Sequence, residues 1–97
     1  MRATLVLPVK AEFFHAIKSG AKTEEYRLQN SYWTKRLEGK RFDQVVITWG
    51  YPSRLDRDKR IVLPWRGMRK MTIQHAFFGP APVAVYAIDV SSTPADW

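Results

Sequence analysis

The stretch Gly20-Ala21-Lys22-Thr23-Glu24-Glu25-Tyr26-Arg27 concentrates the groups that could do chemistry. A carboxylate between two cations, Glu25 between Lys22 and Arg27, supports two readings. In one, Lys22 and Glu25 form an acid/base pair and the cations stabilise developing negative charge, worth ~3–4 kcal/mol per donor. In the other, they form a salt bridge closing the surface, worth ~0–1 kcal/mol when partly exposed. Extended backbone would separate the three residues, because alternation puts Lys22, Glu24 and Tyr26 on one face and Thr23, Glu25 and Arg27 on the other. Gathering them into one pocket requires a bend or bulge between Lys22 and Glu25, and Gly20 permits a sharp turn into the stretch.

The elements that must position these residues are legible around them. Thr4-Leu5-Val6-Leu7 is a short apolar strand expected to stop at Pro8, which cannot donate to a ladder. From Lys10 to Ser19 the period becomes helical, with Val9, Phe13, Phe14 and Ile17 on one stripe and Gly20 as a left-handed cap. The phenylalanine pair is assigned to the core. Asn30 or Ser31 caps a second short helix from about Tyr32 to Glu38, stopped by Gly39, with Trp33 and Leu37 on its buried face. Lys35, Arg36, Lys40 and Arg41 read as a solvated face near that helix end, with phosphate binding as the alternative.

Phe42 to Trp49 reads as a central strand, with Val45, Ile47 and Trp49 on one face and Val46 and Thr48 on the other. Gly50-Tyr51-Pro52-Ser53 turns the chain, and Arg54 to Arg60 is too polar for core and is expected to be an exposed loop. Ile61-Val62-Leu63 is extended up to Pro64. Trp65-Arg66-Gly67-Met68-Arg69-Lys70 is either a cation–aromatic segment suited to single strands or a hairpin connection with Trp65 half-buried. Met71 to His75 alternates as a strand, Phe77 to Pro82 is a rigid link, and Val83 to Val90 is the last strand.

Ninety-seven residues give one domain with one core. The absence of cysteine excludes disulfides, thiolate metal sites and a cysteine nucleophile. His15 and His75 stand far apart without tight carboxylate spacing, so neither a metal nor a cofactor is expected, and both read first as structural histidines. No signal-peptide pattern opens the chain and no apolar run approaches the ~20 residues of a membrane span, so the expected location is cytoplasmic. Sixteen Lys and Arg against nine Asp and Glu give +7, with a pI near 10.1. A polyanion is the expected partner, nucleic acid ahead of an acidic protein, and no basic amphipathic anchor points to a membrane. The sequence leaves the oligomeric state open.

The spacing Gly20, Lys22, Glu25, Arg27 reads GxKxxExR and resembles the signature of the ASCH domain, a family similar to the PUA domains of RNA-modifying enzymes. The resemblance runs from Leu5 to about Val90 and is to the small single-domain bacterial or phage type. It implies an α+β fold: a small, mostly antiparallel PUA-like β-barrel with two short helices, formed by a single domain over 1–97 with its core at about 3–90 and a tail at 91–97. It also implies a cleft between barrel and helix lined by Lys22, Glu25 and Arg27.

Three functions follow as expectations. The first is a domain binding RNA, single-stranded nucleic acid or a nucleotide-like molecule through Lys22, Arg27, Trp33, Tyr51, Arg54, Arg57, Arg60, Trp65, Arg66, Arg69 and Lys70. The second is a metal-independent hydrolase in the same cleft. As a ribonuclease, it would use Glu25 to take the 2′-hydroxyl proton, while Lys22 and Arg27 stabilise charge on the phosphate. A branch of the family removes the acyl group of N4-acetylcytidine and shares Gly20-Ala21-Lys22-Thr23. This chain departs from it by carrying Glu25 where the nucleophilic threonine would stand, and by having no glutamate after Glu38. The third is an interaction module gripping an acidic protein.

Overall fold

The computed structural model describes residues 3–91. Six strands and two α-helices follow one another in the order β1 (Thr4–Val9), α1 (Ala11–Ser19), β2 (Glu24–Leu28), α2 (Ser31–Leu37), β3 (Gln44–Trp49), β4 (Arg60–Pro64), β5 (Met68–Ile73) and β6 (Val83–Asp89). Short 3-10 turns occupy Arg57–Lys59 and Ala76–Phe78. The fold is therefore a small α+β structure whose pairings are antiparallel except for β1 with β3. Of the tail expected over 91–97, residues 92–97 lie outside the described residues. Among the described residues no helix is long and apolar enough to cross a membrane.

Alternation decides which residues make the core. Leu5, Leu7 and Val9 of β1 and Val45 and Ile47 of β3 point inward. Leu63 and the side chains of Tyr86, Ile88 and Val90 meet them, and Phe14, Ile17 and Leu37 come down from the helices. Each large apolar side chain taken out of water contributes about 1.5–3 kcal/mol. Adjacent helical residues point in different directions, so Phe14 is buried while its neighbour Phe13 stays half-buried at the rim.

The strands form two three-stranded sheets, ordered β1-β3-β4 and β2-β6-β5, and no closed barrel is found among the described residues. At one junction the link 65–67 turns the corner between β4 and β5: Trp65 N–H donates to Asp43 O at 3.2 Å, Asp89 N–H donates to Gly67 O at 3.0 Å, and Gly67 takes a φ of +99°. At the other, between the β1 and β2 edges, a side chain takes the place of a ladder. The Arg27 guanidinium donates to Pro8 O at 2.8 Å.

The structure departs from the sequence reading in several places, among them a β3 that begins at Gln44 and not Phe42 and a β5 that ends at Ile73 and not His75. β1 runs through Pro8 to Val9, because β1 is an edge strand and the residue lacking an N–H faces away from β3. β5 begins at Met68, so Arg69 and Lys70 belong to a strand. In β3 the outward face is reached early: Thr48 is buried, with its hydroxyl donating to Gly50 O at 2.8 Å, while Trp49 is exposed.

Candidate functional site

β2 begins only at Glu24, which settles how alternation is satisfied. Glu25 and Arg27, two apart on the strand, share a face. Lys22 precedes the strand and is free of its pleat. Gly20 closes α1 in the left-handed conformation with φ +86°, its N–H bonded to Ile17 O at 3.1 Å, and Lys22 N–H then donates back to Ala16 O at 3.0 Å. Thr23 O accepts from Val90 N–H at 2.9 Å, which fixes the other end of the bend.

The bend sends Lys22 Nζ to 3.6 Å from Glu25 Oε1, while Arg27 places a terminal nitrogen 3.0 Å from Glu25 Oε2. Both carboxylate oxygens are thus engaged, one by each cation. Glu25 is only 8% exposed. Burial pushes its carboxyl above the ordinary 4.5, with Arg27 and then Lys22 pulling it back. The Arg27 guanidinium lies 5.0 Å from the centre of the Trp33 ring, and its Nε–H is buried without a partner among the described residues. Lys22 Nζ sits 5.4 Å from the Phe13 ring centre and 4.9 Å from that of Tyr26. Tyr26 donates to Glu24 Oε1 at 3.3 Å; burial and then the Glu24 charge raise its hydroxyl above the ordinary 10.0.

These three residues line one cleft of about 580 Å³, within the ~300–1,000 Å³ range of small-molecule sites. Its walls are aromatic: Phe13, Tyr26, Trp33, Trp49, Tyr51, Phe77 and Phe78. α2 presents Trp33 because Asn30 caps the helix by accepting from Trp33 N–H at 2.9 Å. The far wall comes from the Ala76–Phe78 turn, where Phe77 meets Phe13 edge-on at 5.7 Å. His75 also lines the cleft; its Nδ1 accepts from Phe77 N–H at 3.1 Å, which leaves the proton of the neutral ring on Nε2. Reading Phe13 as core and Phe77-Phe78 as a rigid link hid this wall. The one available signal was the Phe13-Phe14 adjacency, which cannot bury both rings on one side.

A second groove, of about 660 Å³, adjoins the first and shares Pro8, Arg27, Trp33 and Tyr51 with it. Tyr51 stands at the junction, 92% exposed.

Lys22, Glu25, Arg27, Trp33 and Tyr51 therefore come together, whereas the other basic residues considered for binding do not line this cleft. Arg60 is committed to the loop before it, donating to the carbonyls of Pro52, Ser53 and Asp56. Arg54 and Arg57 are exposed on that loop, and Arg66 is exposed at the β4–β5 corner. Arg69 pairs with Glu24 at 3.1 Å and Lys70 with Glu38 at 2.6 Å. Trp65 packs half-buried on Phe42 at 5.1 Å against the core, but the connection it opens is not the hairpin expected, because β4 and β5 belong to different sheets and do not pair. His15 lies edge-on to Trp49 at 5.0 Å. Among the described residues, no three His, Asp or Glu side chains cluster as a metal site would need.

No protein-family model, curated protein or solved structure matches the chain.

Proposed function

We propose that this chain is an ASCH-like domain of the cytoplasm that binds single-stranded nucleic acid, RNA foremost, by taking one unpaired nucleotide into the aromatic cleft. The two sheets are read as halves of a PUA-like barrel whose β1–β2 seam is closed by Arg27. The observation that carries the function is the meeting of Lys22, Glu25 and Arg27 beside a nucleotide-sized space walled by aromatic rings. Cations engage phosphate while aromatic faces stack an unpaired base, and duplex cannot offer that base. Lys22, with donors to spare and 20% of its side chain open, is the phosphate ligand. Glu25 orients both cations.

The test is the affinity of a single-stranded oligouridylate at low salt for the wild-type protein and for Lys22→Met. A contact to a charged group contributes about 1.5–3 kcal/mol, so the variant should bind roughly tenfold to a hundredfold more weakly. Absence of binding at low salt, or affinity indifferent to salt, would overturn the reading.

One observation favours hydrolysis as a second reading: burial moves Glu25 in the direction a general base requires. Incubating RNA and N4-acetylcytidine with the protein under chelator, beside Glu25→Gln, separates the two. A binder leaves both substrates intact, whereas a hydrolase loses its activity in the variant.

A further inference from the structure

The second groove differs from the first in the state of its charges. Lys35, Arg36 and Lys40 line it together with Tyr32. None of the three cations has an acidic partner within ion-pair distance among the described residues, whereas Arg69 and Lys70 are neutralised by Glu24 and Glu38. The Arg36 guanidinium carbon sits over the Tyr32 ring, 4.1 Å from its centre, a cation–π contact that favours this position on the surface. All three cations are exposed, so a ligand can reach them from solvent.

The groove also begins where the aromatic cleft ends, across Arg27, Trp33 and Tyr51. A chain with one base held in the cleft has its next phosphates delivered along α2. We infer that this groove is a second, phosphate-tracking subsite, so that the ligand is an oligonucleotide several nucleotides long and not a free nucleotide. Lys35, Arg36 and Lys40 each take a backbone phosphate, and Tyr32 and Tyr51 offer faces to the bases between them. An acidic peptide would satisfy the cations equally but leave those rings unused. The inference rests on the cleft being the nucleotide site.

Uridine 5′-monophosphate, a ladder of oligouridylates from dimer to octamer, and polyglutamate are titrated against three proteins: wild type, Lys35→Gln/Arg36→Gln/Lys40→Gln, and Arg69→Gln/Lys70→Gln. Affinity should climb with oligomer length in the wild type and level off once the groove is filled. The α2 variant should bind the monophosphate as wild type does but lose the gain with length. Its slope of log affinity against log salt for the octamer should fall by about 2, because each phosphate contact on a single strand contributes ~0.7. The Arg69/Lys70 variant should keep the wild-type slope. Binding of the monophosphate with no gain for longer chains, or an unchanged slope in the α2 variant, overturns the groove and leaves the cleft reading standing. Failure of every uridylate to bind overturns both. Polyglutamate binding as tightly as the octamer overturns the choice of nucleic acid.

Discussion

Glu25 and Glu38 are both paired carboxylates, yet they titrate in opposite senses. Burial raises Glu25 above 4.5 in spite of its two cations, so desolvation outweighs attraction. The folded state then holds the proton longer than the unfolded chain does. The Glu25 contribution to stability is therefore fully present below pH 4.5 and is lost as pH rises through the elevated folded value. Glu38 is lowered, first by the Lys70 ammonium and then by the Tyr86 hydroxyl. Its contribution is present above pH 4.5 and is lost as pH falls through the depressed folded value. Thermal melts against pH, each read as the difference from the Gln variant, should show wild type losing ground to Glu25→Gln as pH rises and gaining on Glu38→Gln. A gain on both would mean that the ion pairs outweigh burial at Glu25. The residue types and spacing of Lys22, Glu25 and Arg27 were plain in the sequence, whereas the balance between burial and pairing was not, since it depends on how far β2 is covered.

At the scale of elements, the turn after α1 aims Lys22. Gly20 adopts φ +86° and a Cβ there would meet open space, so Gly20→Ala tests conformation alone. It should lower stability by about 1–2 kcal/mol in a denaturant titration and weaken oligouridylate binding, because the bend between Ala16 and Thr23 shifts. α2 is held differently, by the Tyr86 hydroxyl, which is 2.8 Å from Thr34 Oγ1 and donates to Glu38 Oε2 at 3.0 Å. Tyr86→Phe should remove about 1 kcal/mol, with faster hydrogen exchange in α2. Apolar period and capping residues made both helices legible within a residue or two. Strand limits were less so. Pro8 reads as a stop unless β1 is known to be an edge, and Arg69-Lys70 reads as a basic segment unless Glu24 and Glu38 are known to face it from β2 and the end of α2.

For the whole molecule, a net charge of +7 says that a polyanion will be attracted but not where it will settle. Pairing sorts the cations: Lys22 and Arg27 are oriented by Glu25, Arg69 and Lys70 are neutralised, and Lys35, Arg36 and Lys40 remain open. Arg54 and Arg57 are exposed on a loop outside both clefts, and under the proposed binding function their part would be to guide encounter. Arg54→Ala/Arg57→Ala should slow association a few-fold at low salt and leave dissociation unchanged, with the difference vanishing near 1 M salt, where the Debye length is ~3 Å. Stopped-flow traces at two ionic strengths measure this directly. The central claim is most directly tested by an amide and indole N–H chemical-shift titration with oligouridylate. Binding in the cleft predicts saturating shifts concentrated at Lys22, Arg27, Trp33, Trp49, Tyr51 and Phe77. Shifts confined to the 54–60 loop and the β4–β5 corner, with the cleft signals unmoved, would contradict it.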